Sequence, residues 1–283
     1  MAKKKYIKQQ AFRGKILLVC GGSKGIGKET AKQIVRLGGS VGVVARDPAA
    51  LGEAAQEIEA VKATDSQFVE TIACDTTDMD VLKPKIEAFI EAHGVPDVLV
   101  NLVGYAYPQY VHKLTLDDFK KNMDVNYYGQ LVPTLILLPH YMKANKGHIA
   151  FVSSLGGVIG AIGYASYTPT KAALVGLSEV LRHELKPYNI KISVLYPSDT
   201  ETPGFEIENQ TKPPETAMIS EAARVFSAEK VAEAFVEGLL KEKLTIDFGI
   251  TKIQRILFRL APGLVHAIID SDLKKARKKL GKL

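Results

Sequence analysis

The sequence predicts an α/β protein in which a doubly wound parallel sheet of about seven strands carries helices on both faces. Short apolar runs alternate with amphipathic stretches along most of the 283 residues, as expected when crossover helices connect parallel strands. A glycine-rich turn directly follows the first apolar run, which is typical of the first βαβ unit of nucleotide-binding sheets. Since no interior linker divides the chain, we expect residues 1–283 to form one domain.

The candidate strands are short runs rich in Val, Ile and Leu. They are Lys15–Cys20, Val41–Ala45, Phe68–Cys74, Asp97–Asn101, His148–Ser153, Ile190–Leu195 and, at an edge, Leu244–Gly249. The stretches between them have the apolar spacing of helices. Helices are predicted at Lys28–Leu37, Pro48–Lys62, Met79–His93, Leu116–Lys143, directly after Tyr167, and at Ser227–Lys241.

Two segments depart from this alternation. Residues 197–222 are polar and rich in Pro and Thr. Because a long segment of this kind in a compact fold usually forms a lid or binding loop, we expect a helical substrate lid here. Residues 250–283 have the pattern of basic amphipathic helices, so we expect a C-terminal helical extension. Its last ten residues, Lys274–Leu283, carry six cations and no acid.

The glycine-rich turn predicts a Rossmann-like dinucleotide site. It consists of Gly21, Gly22, Ser23, Lys24, Gly25, Ile26 and Gly27. Glycines let the backbone approach a pyrophosphate, and the N-terminus of the following helix offers unpaired N–H donors. The alternative is an ordinary tight turn.

Arg46 and Asp47 follow the second strand, where such sheets contact the adenosine ribose. An Arg can pair with a 2′-phosphate, whereas an Asp would accept from a 2′-hydroxyl. Because Arg46 comes first after the strand and Lys24 offers a second cation, we expect NADPH/NADP rather than NAD. Arg46 alone could equally be a solvated loop residue.

Three polar or small residues follow the third and fourth strands, at the edge that also carries the glycine turn. Asp75 could accept from an adenine amino group. Asn101, followed by Gly104, could contact the cofactor or tie neighbouring strands together. Asn126 lies inside a predicted helix although Asn is a poor helix former, which indicates either a held water or a cap at a kink.

Tyr167 and Lys171 lie four residues apart, hence one turn apart on the same face of a helix. A phenol beside a fixed ammonium can exchange a proton, which is general acid/base chemistry. Ser153 and Ser154 end the preceding strand and could add a hydroxyl. The alternative is that this Tyr and Lys share a solvated helix face by chance.

Composition excludes several classes. The net charge of +6 is accounted for by the last ten residues, so the rest of the chain lacks the basic surface of a nucleic-acid-binding protein. The six histidines show no metal-ligand spacing. Two cysteines, a basic N-terminus without the apolar stretch of a signal peptide, and no transmembrane-length apolar run together predict a cytoplasmic protein.

Taken together, the motifs resemble those of the classical short-chain dehydrogenase/reductases over nearly the whole chain. The carriers are Gly21, Gly25, Gly27, Asp75, Asn101, Gly104, Asn126, Ser154, Tyr167, Lys171 and Pro197. The resemblance implies a catalytic set of Asn126, Ser154, Tyr167 and Lys171. Ser154 precedes Tyr167 by the family's usual thirteen positions, which leaves Ser153 as the alternative. It also implies cofactor contacts at Tyr167, Lys171, Pro197 and Thr200, no metal, and a homo-oligomer (dimer or tetramer).

Residues 196–205 and 211–220 further resemble the loop after the sheet in 3-ketodihydrosphingosine reductases. This resemblance implies NADPH-dependent reduction of a long-chain 3-keto sphingoid base in sphingolipid biosynthesis, with Tyr167 as proton donor and its pKa lowered by Lys171 and the nicotinamide. The apolar residues of the predicted lid would then line a channel for an alkyl chain, or simply pack the lid onto the sheet. They are Phe205, Ile207, Met218 and Ile219.

Two other functions share part of this pattern. A reductase of 3-oxoacyl or steroid ketones would use the same catalytic residues, and an NADP-binding sensor or scaffold protein would need only the cofactor residues. The basic C-terminal extension could lie on an anionic membrane surface, as a peripheral contact on the cytoplasmic face. Alternatively, it could pack in a subunit interface.

Overall fold

Seven parallel strands form the central sheet of the computed structural model, which describes residues 10–221 and 223–282. The strands are β1 (Ile16–Cys20), β2 (Ser40–Ala45), β3 (Val69–Ala73), β4 (Val98–Asn101), β5 (Gly147–Val152), β6 (Ile190–Tyr196) and β7 (Thr245–Asp247). Their order is β3-β2-β1-β4-β5-β6-β7, and every neighbouring pair is parallel. The predicted fold class, strand number and edge position of the last strand are therefore confirmed.

Eleven α-helices accompany the sheet in the described part of the chain. Six follow or precede the strands: α1 (Gly25–Arg36), α2 (Pro48–Glu59), α3 (Met79–His93), α4 (Leu116–Met123), α5 (Gly129–Ala144) and α6 (Thr168–Glu184). The others are α7 (Pro203–Asn209), α8 (Pro214–Glu221), α9 (Ala228–Leu240), α10 (Thr251–Leu260) and α11 (Pro262–Lys279). Two apolar clusters, one on each face of the sheet, form the core. Burial of the sheet on both faces explains why its strands are nearly continuous apolar runs.

The long helix predicted for residues 116–143 is interrupted. A π-turn at Asp124–Tyr128 separates α4 from α5, and the fully buried Asn126 lies within it. The Asn126 carboxamide accepts from the backbone N–H of Tyr105 at 2.8 Å and donates to the Tyr105 carbonyl at 2.8 Å. The interruption therefore places a side chain that binds the segment after β4, as the low helix propensity of Asn indicated.

One further boundary differs from the predictions. Helix α1 begins at Gly25, so the glycine turn itself supplies the first helical turn. The predicted lid, residues 197–222, contains the helices α7 and α8, as expected for a helical lid, and its short strand Thr200–Glu201 pairs in parallel with Phe226–Ser227. Residues 1–9 and Leu283 lie outside the described residues. The prediction that the N-terminus lacks a signal peptide falls on residues 1–9.

Candidate active site

A cleft of about 1470 Å³ opens at the carboxyl ends of the strands. The glycine turn and the residues after β2 and β3 line one end of this cleft, and Ser154, Tyr167 and Lys171 line its middle. The predicted lid and helices α10 and α11 line the remainder. Ligands of open parallel sheets bind outside the carboxyl ends of the strands, so the cleft is the candidate active site.

The glycine turn is shaped by close approaches that exclude side chains. Gly21 has a φ of +83°, and a Cβ there would lie 2.8 Å from the backbone nitrogen of Val103. A Cβ on Gly27 would lie 2.0 Å from the Gly21 carbonyl oxygen. With Lys24 preceding the first residue of α1, backbone donors at the helix N-terminus border the cleft. These residues therefore fit a pyrophosphate.

Arg46 and Asp47 have different surroundings. Asp47 caps α2, because its carboxylate accepts from the N–H groups of Ala49 at 3.0 Å and Ala50 at 3.3 Å. Arg46 is 68% exposed, and its guanidinium lies 3.5 Å from the Asp75 carboxylate. All three side chains belong to residues that line the cleft. Both cap bonds use Asp47 Oδ1, so the exposed Arg46 guanidinium and the second Asp47 oxygen both border the space open to a ligand.

Asn101 does not meet the expectation of a cofactor contact. Its side chain is fully buried and is not part of the cleft lining. Its amide donates to the Thr134 hydroxyl of α5 at 3.2 Å. The structure thus favours the alternative of a structural residue, although the amide joins the strand to a helix rather than to a neighbouring strand. The amide oxygen has no partner in the part of the chain that the structure describes.

The two serines after β5 have separate environments. Ser153 is 1% exposed, and its hydroxyl donates to the Lys171 carbonyl at 3.0 Å, which holds α6 against the end of the strand. The Ser154 hydroxyl accepts from the Gly156 N–H at 3.0 Å and also hydrogen-bonds the Tyr167 phenol. Of the two, Ser154 is therefore the hydroxyl beside the phenol.

Tyr167 and Lys171 both line the cleft, where Lys171 is 2% exposed and Tyr167 is half-buried. The Lys171 ammonium lies 5.7 Å from the centroid of the Tyr167 ring and donates to the Val152 carbonyl at 3.1 Å. Burial lowers the pKa of Lys171 to about 7. Burial also raises the pKa of Tyr167, which the hydrogen bond from Ser154 only partly offsets. In the chain alone the phenol is therefore harder to ionise, contrary to the expectation of a lowered pKa, because loss of solvation dominates.

Gly104 and Asn126 adjoin this pair. A Cβ on Gly104 would lie 3.5 Å from both the Asn126 carboxamide oxygen and the Lys171 ammonium. The Asn126 carboxamide makes two hydrogen bonds with the Tyr105 backbone and thereby positions the segment that contains Gly104. Pro197 and Thr200 also line the cleft, and the Thr200 hydroxyl donates to the Ser198 carbonyl at 2.7 Å.

The predicted lid contributes Phe205, Ile207 and Ile219 to the cleft, but not Met218. The polar residues of the cleft that sequence reasoning missed include Tyr164, Asp199 and Glu208. The Tyr164 ring packs edge to face against Tyr167 at 5.8 Å, and its hydroxyl donates to the Glu208 carboxylate at 2.6 Å. No sequence spacing links these residues, since Glu208 comes from α7 and Tyr164 precedes α6.

The C-terminal extension is part of the cleft rather than a separate tail. Its residues in the lining are Ile250, Thr251, Gln254, Leu257, Val265, Ile268, Ile269, Asp272 and Leu273. The end of the chain contacts helix α8 of the predicted lid. Lys282 and Arg277 pair with the Glu215 carboxylate at 3.1 and 3.7 Å, and the Tyr110 hydroxyl also donates to it. Although burial raises the pKa of Glu215, these donors lower it to about 2.

Comparison with known proteins identifies the family. Residues 15–213 match the model of the short chain dehydrogenases, and the chain belongs to this family of oxidoreductases. It is 41% identical over 239 residues to the 3-dehydrosphinganine reductase of Danio rerio, covering 84% of this chain and 72% of that protein. It is 36% identical over 276 residues to the 3-ketodihydrosphingosine reductase of Dictyostelium discoideum, covering 92% of this chain and 82% of that protein.

A solved structure supports the fold. An NAD-bound 3-oxoacyl-[acyl-carrier protein] reductase from Brucella melitensis superposes with a TM-score of 0.72 at 24% identity, covering 86% of this chain and 93% of that chain. Within residues 10–221 and 223–282, no helix is long and apolar enough to cross a membrane. The same residues contain no group of three or more His, Cys, Asp or Glu side chains that could hold a metal ion.

Proposed function

We propose that the protein reduces the ketone of a long-chain 3-keto sphingoid base to the alcohol, with NADPH as the reductant. The proposal rests on one observation above all: Ser154, Tyr167 and Lys171 meet in a cleft that also contains the glycine turn. The two relatives compared above carry the name of this activity. Their similarity extends through the predicted lid, where substrate preference would be set.

The geometry around Arg46 supports NADPH over NADH. A 2′-phosphate requires a cation at the end of β2, and the Arg46 guanidinium is exposed there, with Lys24 at the same end of the cleft. Asp47, the carboxylate that would accept from a 2′-hydroxyl, is held at the start of α2 by the cap bonds to its Oδ1. Backbone donors at the start of α1 would hold the pyrophosphate.

When bound, the reduced nicotinamide supplies a hydride to the carbonyl carbon. In this protein Ser154 would hydrogen-bond the substrate oxygen, and Tyr167 would donate its phenolic proton to that oxygen. Burial suits Tyr167 to this direction, since the raised pKa of the phenol keeps it protonated near neutral pH. Lys171, with a pKa of about 7, is suited to restore that proton, because proton transfer is efficient when the pKa lies near the working pH. Asn126 positions this centre through the Tyr105 backbone.

The remainder of the cleft fits an alkyl chain. Phe205 and Ile219 of the predicted lid line the cleft together with Leu257 and Ile269 of the extension. A long hydrocarbon chain would gain roughly 0.8 kcal/mol for each buried methylene group. The extension would thus act as part of the substrate site.

The experiment is a substrate panel with the purified protein. NADPH oxidation is measured with 3-ketosphinganine, a 3-oxoacyl thioester and a steroid ketone, and the products are verified by mass spectrometry. We expect reduction of 3-ketosphinganine with at least tenfold higher kcat/KM than the other ketones. Preference for the 3-oxoacyl or steroid ketone would overturn the proposed substrate, and cofactor binding without turnover of any ketone would overturn the proposed activity.

We also propose that α10 and α11 contact an anionic membrane from which the substrate enters. Their outer face exposes Ile253 (69%), Ile256 (46%), Leu260 (78%), Leu264 (55%) and Ile268 (48%). The cations Lys252 and Arg259 border this face. Ile268 also lines the cleft, so the apolar face continues into the candidate site. Apolar area flanked by cations is the combination that favours interfacial binding.

Liposome flotation tests this contact with vesicles containing phosphatidylglycerol. The double variant Ile253→Ser/Leu260→Ser is expected to lose most of its binding, whereas Leu116→Ser, equally exposed at 69% on α4, is the matched control. Unchanged flotation of the double variant would contradict the proposal. A different result would assign this face to contacts between copies of the chain. In that case neither protein binds vesicles, and the wild type forms an oligomer that the double variant does not form.

A further inference from the structure

Asp199 is a carboxylate of the cleft lining that takes part in no step of the proposed reaction. It lies between Pro197 and Thr200 in the segment after β6. Its backbone is fixed, because the Asp199 carbonyl accepts from the Phe226 N–H at 3.0 Å. The neighbouring Ser198 hydroxyl donates to the Phe248 carbonyl at 2.9 Å. These bonds hold the segment that presents the side chain of Asp199 to the cleft.

The Asp199 side chain is half-buried and has no hydrogen bond or ion pair within residues 10–221 and 223–282. Burial raises the pKa of Asp199, and the charge of Lys212 opposes that effect. Asp199 lines the cleft together with Tyr164 and Tyr167, and its negative charge contributes to the raised pKa of both phenols. A cation in the cleft would therefore stabilise this carboxylate.

Glu208, the other carboxylate near Tyr167, is already engaged. It accepts from the Tyr164 hydroxyl at 2.6 Å, and its carboxylate lies 3.2 Å from the Lys212 ammonium. Lys212 is further held by the Asn209 side chain at 2.7 Å. Asp199 is consequently the carboxylate that remains for a ligand.

We infer that Asp199 binds a primary ammonium group carried on the carbon next to the reacting carbonyl, and thereby selects 2-amino ketones. This inference rests on the proposed function, in which the substrate carries an amine at that position. An ammonium held there would give Asp199 the partner that the protein does not supply. Ketones without the amine, such as 3-oxoacyl chains, would leave the carboxylate half-buried and unpaired, which disfavours them.

The test compares two twelve-carbon ketones, a 2-amino-1-hydroxy-3-ketone and its deamino analogue, with NADPH as reductant. We expect the wild type to prefer the amino ketone by about ten- to a hundredfold in kcat/KM, the range for a hydrogen bond between charged groups. Asp199→Asn is expected to lose this preference, so that its kcat/KM values for the two ketones differ by less than about threefold. Glu201→Gln removes a charge from an exposed position two residues away and is the matched control.

Binding of the corresponding alcohols gives a readout that does not depend on turnover. Calorimetry with a twelve-carbon 2-amino-1,3-diol and the 1,3-diol should show the same preference in the wild type and its loss in Asp199→Asn. An unchanged preference in Asp199→Asn, or its loss in Glu208→Gln instead, would overturn the inference. If the wild type reduces neither ketone but its amine preference in binding requires Asp199, the proposed function fails and the ammonium site stands.

Discussion

Replacing Lys171 by Met is expected to stabilise the protein while removing its activity. Lys171 is 2% exposed, and the only hydrogen bond that its ammonium makes among the described residues is to the Val152 carbonyl. Met has a similar length and no charge, so the variant fills the same space without the cost of burying an ammonium. The Val152 carbonyl keeps a second donor, the Gln130 amide at 3.1 Å.

The size of the effect follows from the pKa. Burial lowers the pKa of Lys171 from 10.5 to about 7, and each unit corresponds to about 1.4 kcal/mol, which gives an upper limit of about 5 kcal/mol. Loss of the hydrogen bond to Val152 and partial access of water reduce it. We therefore expect the free energy of unfolding of Lys171→Met to exceed that of the wild type by about 2–3 kcal/mol at pH 7.

The sign of the pH dependence provides a stricter test. Between pH 7 and 10.5 the unfolded wild type binds a proton that the folded protein has released, so wild-type stability rises with pH in this window. The advantage of Lys171→Met is therefore full below pH 7 and disappears towards pH 10.5. Urea unfolding at pH 6.5 and pH 10 measures it, with the exposed Lys143→Met as control. A variant less stable than the wild type at pH 7, or an advantage that does not shrink with pH, would refute the reasoning.

Four further substitutions test other parts of the molecule. Arg46→Ala should raise the KM for NADPH about ten- to a hundredfold and leave the KM for NADH unchanged. Equal effects on both cofactors would contradict the role of Arg46. Asp47→Ala should only lower the free energy of unfolding, by about 1 kcal/mol, through loss of the α2 cap. Gly27→Ala should abolish saturable NADPH binding in a fluorescence titration, because its Cβ would lie 2.0 Å from a carbonyl oxygen; normal binding would disprove the tight turn. Glu215→Gln should cost about 1–2 kcal/mol of stability at pH 7, since its partner cations are nearly half exposed. The pKa of Glu215 in the folded protein is lowered to about 2, so that stability is present above about pH 4.5 and is lost as the pH falls towards 2. The free energies of unfolding of the wild type and the variant should therefore converge in acid. A difference that stays constant with pH would contradict the ion pairs.

The sheet and the middle of the candidate site could be predicted because they depend on local patterns. Buried parallel strands are apolar along their whole length, so each run indicated its strand within a few residues. The carboxyl ends of parallel strands share one edge, and this rule alone predicts that the glycine turn lies near Tyr167. Helical spacing placed Lys171 beside Tyr167 in the same way.

Other features depend on contacts between segments that are distant in sequence, and local sequence patterns do not predict such contacts. Asn101 ends a strand at the correct edge, yet its side chain turns to Thr134 of α5. The amphipathic pattern of the C-terminal extension showed that it has an apolar face, but not that this face borders the cleft. Nor could charge counting show that Arg277 and Lys282 pair with Glu215 of α8.

The most direct measurement is single-turnover reduction of 3-ketosphinganine by the preformed NADPH complex of Tyr167→Phe. The variant lacks only the phenolic oxygen, so NADPH affinity should stay within about threefold of the wild type. Reduction should be slower by about 10²- to 10⁴-fold, the contribution of a positioned general acid. Reduction at the wild-type rate would contradict the assignment of Tyr167 as the proton donor.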